Sequence, residues 1–502
     1  MLRKNPCVQL ATIFKNKLTQ ISESIYSAFG FIKTNKPWVL QATACVAVVA
    51  YEAYNTYENL VEQGSDFQYA IARSCGASLK LLTLSTFFPL SRVLYTRIQN
   101  SRVGSYFGLD QRIVDHKIFA TGILLFASTH TIAHYFYNPA NFGKQPGITG
   151  IIMLSSFALP ISGIFLLKKY AKPCTVKSYG STIMRTHQSG AACFLLAYLF
   201  HTADLRLLKY AAISWSPLVI DRIIEKLFYR HPSFIKKAVI IPNTDFISLH
   251  INKPKHFREY HPGQFALLSF SEIDNVLEKP HPFTIVNVNA NEIEFLIKQI
   301  GPWTQKLYHW IGSLDEQNHS SYSVTMTGPL GKNILCDYSY KNPIAFIGTG
   351  IGMTPALAAL NEMTKRNVKA QLEFHISQKS LAEFIPCINV LSKIPPENSY
   401  SLKSVNFYIT SKHINKDDIE QKFRNLESKS NLHFDFSKMN IGLNKTGMFS
   451  KSVNVNVHFS RPDLENIIKG VKTVNICGNP EVSKTVVDLA RKLGKRCYSE
   501  SF

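Results

Sequence analysis

Hydrophobic positions divide the chain into two parts of different period. Up to about residue 230 they form long apolar segments with few charges, near Trp38–Tyr54, Ala70–Leu94, His116–Tyr137, Ile148–Leu167, Thr182–Thr202 and Ala211–Phe228. Each approaches the length a helix needs to cross a hydrocarbon layer of roughly 30 Å. Six membrane helices are therefore expected over residues 38–230, after a basic segment at 1–37. From about Pro232 the runs shorten. KKAVIIP, FISLHI, QFALLSF and EIEFLIKQI, broken by Gly, Pro and Asn, predict antiparallel strands of a small barrel over residues 231–335. From about Asn342 the order becomes strand, glycine turn, helix, strand, in PIAFIGTGIGMTPALAALNEM and KAQLEFHIS. That order predicts a doubly wound α/β domain over residues 336–502. Residues 411–455, rich in Lys, Asn and Ser, are expected to be mostly a mobile insertion in it. The predicted fold class is multi-domain: a six-helix transmembrane bundle, an antiparallel β-barrel and a doubly wound α/β domain.

Charge orients the helical part. The chain carries 56 Lys+Arg against 34 Asp+Glu, a formal +22. The connection after the first segment holds Glu58, Glu62 and Asp66, and the third holds only Lys144. The second holds Arg97, Arg102, Arg112 and Lys117, and the fourth Lys168, Lys169, Lys172, Lys177 and Arg185. Basic residues that flank apolar segments in alternation set membrane orientation rather than nucleic-acid binding, and here they put both termini in the cytoplasm. Nine cysteines without a CxxC spacing indicate neither a zinc site nor a disulfide framework. The start, MLRKNPCVQLATIFKNKL, has no signal-peptide core and suits either a basic helix on the cytoplasmic surface or a plain solvated one.

Four histidines bring in the chemistry. His116 and His130 lie in the third segment, His187 and His201 in the fifth, both pairs fourteen residues apart. Fourteen residues fall about 40° short of four helical turns and rise roughly 21 Å. Two such helices side by side offer two stacked imidazole pairs, each able to hold one haem iron, the first near the cytoplasmic surface and the second near the far one. His134, one turn beyond His130, reads as a supporting or interfacial residue. Arg73, a few residues into the second segment, falls level with His130 and His201. Its charge suits haem propionates as a structural ion pair, or a developing anion at an acceptor. Gly348, Gly350 and Gly352 follow an apolar strand and open a helix, with Thr354 and Pro355 after them, as a pyrophosphate-binding turn does. In HPFT, Thr284 offers a hydroxyl to a flavin edge, and Pro282 and Phe283 shape its surroundings.

With these motifs in order, the chain resembles the catalytic subunit of the NADPH oxidase family from about residue 40 to its end. The matching segments are IARSCGASLKLLTLSTFFPLSR, HKIFATGILLFASTHTIAHYF, PGITG, HPGQF, HPFT, IKQIGPWT, GPLG, GTGIGMTP, FSRPDLEN and CGNPE. The resemblance implies a ferric-reductase-like helical part with two b-type haems and a cytoplasmic part like ferredoxin–NADP reductase. It assigns His116 with His187 to the inner haem and His130 with His201 to the outer. It assigns His281, Pro282, Phe283 and Thr284 to FAD, with Lys298 on the FAD phosphates and Trp303 of the same segment among the cofactor-binding residues. Gly348, Gly350, Gly352, Thr354, Pro355, Arg461, Cys477 and Gly478 are expected at the nicotinamide nucleotide. Phe502 is expected to stack on the flavin, and Arg73, Cys477 and Phe502 to act in the reaction. After LEFHIS the family tends to carry arginine for the 2′-phosphate of NADPH, whereas this chain has Gln378 and then Lys379, a point charge in its place.

The expected activity is transfer from cytosolic NADPH through FAD and two haems to oxygen beyond a plasma membrane, making superoxide or hydrogen peroxide. A ferric-chelate or cupric-chelate reductase of the same architecture is the alternative, and a scaffold without redox activity a third reading. Expected partners are oxygen and membrane lipid, with regulatory subunits left open and no nucleic acid.

Overall fold

A computed structural model describes residues 36–101, 112–170, 176–201, 205–274, 280–314, 321–335, 343–366, 368, 371–395, 398, 401–411, 416–427, 432–435 and 453–500. The expected N-terminal surface helix lies outside the described residues. The chain divides into a helical unit at Pro37–Leu227 and a second unit built on Phe228–Phe502.

The helical unit contains α1 (Lys36–Glu62), α2 (Phe67–Phe87), α3 (Arg92–Gln99), α4 (Arg112–Tyr137), α5 (Gln145–Tyr170), α6 (Val176–Phe200) and α7 (Leu205–Phe228). A long helix falls on each of the six apolar segments. The second differs in one respect: Ala70–Leu94 does not run through, because Pro89 lacks an N–H and its ring clashes with the preceding turn. The helix ends at Phe87, a 3-10 turn spans Phe88–Leu90, and the chain restarts as α3. α3 is tied to α7, where Asp221 accepts the Leu94 N–H at 2.7 Å and Arg222 donates to the Leu90 carbonyl at 3.2 Å. α2 packs along α4, and α5 along α6.

Polarity in this unit is turned inward. Ser74, Ser78, Thr83 and Thr86 of α2 are buried, and each returns its hydroxyl to a carbonyl one turn back. Large apolar side chains face out, among them Leu125, Phe136, Leu196, Phe200, Val219, Ile223 and Leu227, all more than half exposed. Among the described residues no helix is long and apolar enough to cross a membrane.

The second unit opens with a closed six-stranded antiparallel barrel in the order β1-β2-β5-β4-β3-β6. Its strands are β1 (Arg230–Ile240), β2 (Phe246–Asn252), β3 (Phe265–Phe270), β4 (His281–Val288), β5 (Glu292–Lys298) and β6 (Ser323–Leu330). Alternate residues of each strand, such as Leu249, Ile251, Phe295 and Met326, fill the interior. α8 (Pro302–Gly312) lays Trp303, Leu307 and Ile311 into the same core.

A parallel sheet follows, in the order β10-β11-β9-β8-β7-β12-β13. The strands are β7 (Ile344–Thr349), β8 (Leu372–Gln378), β9 (Leu402–Ile409), β10 (Leu432–Asp435), β11 (Val453–His458), β12 (Thr473–Cys477) and β13 (Arg496–Glu500). α9 (Thr354–Lys365), α10 (Ile385–Leu391) and α11 (Lys416–Glu427) belong to the core of one face, and α12 (Leu464–Gly470) with α13 (Pro480–Lys492) to that of the other. From β7 the chain builds outward through β8 and β9, then returns to place β12 on the opposite flank of β7. Strand order reverses between β7 and β12, and such a switch point opens a crevice at the carboxyl ends of its strands.

Residues 411–455, expected to be mostly a mobile insertion, include α11 and β10, and β11 begins at Val453. Parts of the segment expected to be a mobile insertion are thus regular elements. α11 is strongly charged, but its few apolar residues lie at helical spacing, and Ile419, Phe423 and Leu426 all turn to the core. Phe423 is fully buried, with its ring 4.7 Å from Phe434 of β10. Truncating such an aromatic leaves a cavity that costs about 3–5 kcal/mol. Phe423→Ala is therefore expected to lower the unfolding midpoint of the nucleotide domain markedly, followed by thermal or denaturant unfolding of the full chain. An unchanged midpoint would mean that the segment is an appendage.

Candidate functional site

The crevice between β7 and β12 is built from backbone. Gly348 ends the buried part of β7 beside Cys477 of β12. The turn that follows holds Gly350 at φ +58, a left-handed conformation that glycine takes freely. A Cβ on Gly352 would collide with the Cys477 carbonyl, so the two turns touch main chain to main chain. Gly478, at φ +140, is equally crowded by Thr349, whose Oγ1 accepts the Asn479 N–H at 2.8 Å. Thr354 returns its hydroxyl to the Ile351 carbonyl at 3.1 Å, and Pro355 sits in the first turn of α9, where its missing N–H is harmless. Beneath the turn, Cys387 lies 3.7 Å from the Met353 sulfur, and burial pushes its thiol pKa up, so it stays protonated. A narrow notch lined by glycine backbone at two helix starts suits a pyrophosphate.

The expected flavin residues lie on β4. His281, Pro282 and Phe283 are half-buried, while Thr284 is buried. The Trp303 indole lies behind them, stacked on His281 at 4.0 Å and on Phe283 at 5.7 Å. Its N–H donates to Asp274 at 2.6 Å. Trp303 thus serves as the floor under HPFT. α9 docks on the same strand: Asn361 donates to the Val286 carbonyl at 3.2 Å and Lys365 to the Val288 carbonyl at 2.8 Å. The helix that starts at the nucleotide notch is therefore anchored to the strand that carries HPFT.

In the helical unit the four histidines form two pairs. The ring centres of His116 and His187 are 6.2 Å apart, and those of His130 and His201 6.3 Å. A metal between two imidazoles needs about 2 Å to each nitrogen and roughly 1.1 Å more from nitrogen to ring centre on each side, together about 6.2 Å. Three of the rings are oriented through Nδ1. His116 donates to the Thr86 carbonyl at 3.0 Å and His130 to the Ala72 carbonyl at 2.7 Å. His201 meets Thr149 Oγ1 at 3.1 Å, and that hydroxyl gives its own proton to the Gln145 carbonyl at 2.8 Å. Each Nδ1 therefore carries the proton, and Nε2 keeps the lone pair for a metal. The outer pair borders a cavity of ≈ 590 Å³ that Arg73, Lys80 and Phe194 also line. Among the described residues no three His, Cys, Asp or Glu gather into a metal cage. Paired single ligands suit a planar macrocycle that brings its own equatorial donors.

Two family models match the second unit: an FAD-binding domain over residues 231–334 and a ferric reductase NAD binding domain over residues 341–491. Dual oxidase 1 of Caenorhabditis elegans is 26% identical over 380 residues, 68% of this chain and 25% of that protein. Dual oxidase of Drosophila melanogaster is 23% identical over 478 residues, 85% of this chain and 30% of that protein. Respiratory burst oxidase homolog protein C of Solanum tuberosum is 23% identical, covering 60% of this chain and 38% of its own length. The chain is thus similar to members of the NADPH oxidase family. It spans between a quarter and two fifths of the length of these three relatives.

The remaining expected residues are spread more widely. Arg73 borders the outer cavity, and the His134 ring stands 4.6 Å from His130, nearly perpendicular to it. Lys379 and Arg461 are exposed, each just beyond the carboxyl end of a sheet strand, β8 and β11. Phe502 lies outside the described residues. Several residues that shape these sites carry no signal in the sequence alone. Gln378 was noted only as a departure, yet its Nε2 donates to the Gly350 carbonyl at 2.9 Å and holds the glycine turn in place. Glu383 was not singled out. PGITG was matched without a role, and it proves to seat His201: Thr149 sets the tautomer and Gly150 leaves room for the ring.

A Cβ on Gly150 would stand 3.1 Å from His201 Cε1, tighter than ordinary contact, whereas one on Gly76 would stand 3.4 Å from His130 Cε1. Gly150→Ala is expected to displace His201 and lower haem content toward one per chain. Gly76→Ala should keep both. Haem per chain, read from the pyridine haemochrome spectrum, separates them, and equal haem in both variants would refute the pairing at His201.

Proposed function

We propose that this chain is a transmembrane oxidase, moving electrons from cytosolic NADPH through FAD and two b-type haems to oxygen on the opposite side and yielding superoxide or hydrogen peroxide. One observation carries the reading. Two imidazole pairs at 6.2 and 6.3 Å occur in the same chain as an FAD-binding domain and a ferric reductase NAD binding domain. FAD supplies the change from a two-electron donor to one-electron delivery, and two haems supply successive one-electron carriers.

The chain's own residues do the rest. The notch at Gly350, Gly352 and Gly478 receives the nucleotide's pyrophosphate, with Lys379 placed for a 2′-phosphate. HPFT over Trp303 receives the flavin. His116 with His187 and His130 with His201 would hold the two haem irons, which would supply one-electron transfer toward the acceptor. Arg73 brings a fixed positive charge to the outer cavity, where an anionic product gains from it in a low-dielectric setting. The large apolar side chains exposed on α4, α6 and α7 support lipid contact. The basic connections Arg97–Lys117 and Lys168–Arg185 support cytoplasmic termini, and a plasma membrane is the proposed location. A ferric-chelate acceptor is the second reading, favoured by the ferric reductase model that matches residues 341–491.

Membranes containing the chain are expected to consume oxygen when given NADPH, with a product signal quenched by superoxide dismutase if superoxide is released. His130→Leu or His201→Leu should bring reduction of the external acceptor to background while NADPH still reduces the flavin. Unchanged external reduction in both variants would sink the haem assignment, and ferric-chelate reduction without oxygen consumption would select the second reading.

Arg73→Ala separates two roles when haem content is measured beside activity. Full haem, normal reduction of the outer haem and a much slower oxygen step are expected. Loss of haem with proportionate loss of activity would make Arg73 structural.

A further inference from the structure

β5 of the barrel ends at Lys298, β8 of the parallel sheet ends at Gln378, and one carboxylate joins the two ends. Glu383, 6% exposed, sits in the short 3-10 turn Ala382–Phe384 before α10. Its Oε1 accepts from Lys298 Nζ at 2.9 Å. Its Oε2 accepts the backbone N–H of Lys379 at 2.8 Å. Lys298 is itself largely covered, with its ammonium 5.0 Å from the centre of the Phe246 ring. Both carboxylate oxygens are engaged, one by each domain.

We infer that Glu383 is a positioning residue that sets two phosphate-binding cations at once and couples the flavin site to the 2′-phosphate site. The inference rests on the function proposed above, with Lys379 at the 2′-phosphate of NADPH and Lys298 at the FAD phosphates, as the family resemblance implies. An ammonium has three donors. Glu383 takes one and fixes the direction of the other two. By holding the Lys379 N–H it also fixes where that side chain leaves the strand. A phosphate on Lys298 stiffens the carboxylate that orients Lys379, and the converse holds, since coupling between two binding sites is reciprocal. Arginine, with its rigid fork, can define its own geometry, but a lysine on a flexible stem needs such an external support. Glu383 is the device by which this chain makes lysine serve at both positions.

The test uses the full chain with haem, stripped of FAD and then reloaded. The probe is adenosine 2′,5′-bisphosphate, which carries the 2′-phosphate but no nicotinamide to meet the flavin. Parent protein should bind it about fivefold more tightly with FAD than without, near the low end of typical coupling. Glu383→Ala should remove that difference and weaken both FAD and the probe. Glu383→Gln keeps an oxygen for the Lys379 N–H, so probe affinity should return toward the parent value, while FAD affinity and the coupling stay reduced. Equal coupling in parent and Glu383→Ala would overturn the inference, as would Glu383→Gln matching Glu383→Ala in probe affinity. Losses that only follow a fall in thermal stability would make Glu383 a structural residue and overturn it too. If NADPH fails to reduce the flavin of the parent chain, it is the proposed function that falls, whatever the probe shows.

Discussion

The helical unit depends on a match of spacing between two antiparallel helices. His116 and His130 lie fourteen residues apart on α4, and the carbonyls that fix them, Thr86 and Ala72, lie fourteen apart on α2. One interval repeated on both helices lets both rings be held at once, with the same tautomer. Histidine within an apolar helix is expensive unless its polar atoms are used. Here Nδ1 is used by the backbone and Nε2 is left for a metal. Thr86 belongs to the last turn of α2, where carbonyls lack a partner four residues on and are free to accept. Pro89, by ending the helix, helps make that carbonyl available. Ala72 is one turn before Gly76, the residue without a side chain against which the His130 ring packs.

The second unit solves a related problem with backbone rather than imidazole. A pyrophosphate needs several N–H groups close together, and that requires two turns to approach without side chains between them. Gly352 against Cys477 and Gly478 against Thr349 meet the requirement at the point where strand order reverses. The α9 contacts with the Val286 and Val288 carbonyls then carry the position of that notch to the flavin strand. Removing any one of these glycines inserts a Cβ where there is no free volume, at a cost of about 1–3 kcal/mol for overpacking alone.

Much of this was legible in the residues. Periodicity located the six long helices, the barrel strands and the parallel sheet, and the interval of fourteen predicted the imidazole pairs before any coordinates. What stayed hidden depends on partners distant in sequence. Gln378 looks like a lost arginine until the Gly350 carbonyl is seen above its amide. Glu383 is one acid in a short turn, and only the meeting of two domains gives it Lys298. Gly150 falls within the apolar segment Ile148–Leu167 without distinction, yet it leaves the space that a histidine 51 residues away occupies. The segment around α11 misled for another reason. A helix that buries three residues and solvates the rest has a composition close to that of a loop, and only the spacing of Ile419, Phe423 and Leu426 distinguishes it.

The inward polarity of the helical unit has its own consequence. A water-soluble bundle hides apolar residues and exposes charge, whereas here α2 buries four hydroxyls, histidines face one another across the interior, and Leu125, Phe136, Phe200 and Leu227 stand outside. An average of hydropathy along any one helix mixes the two faces and is pulled down by the inward one, so such a helix is on average less apolar than the surface it presents. The distribution around the helix carries the information that the average loses. The polar groups that lower the average, Arg73, Lys80 and the histidines at the cavity wall, are the same groups that gather around the interior cavity. An apolar exterior and a ligand-bearing interior are thus two results of one pattern. A substitution that made these helices uniformly apolar would remove the site that the pattern exists to build.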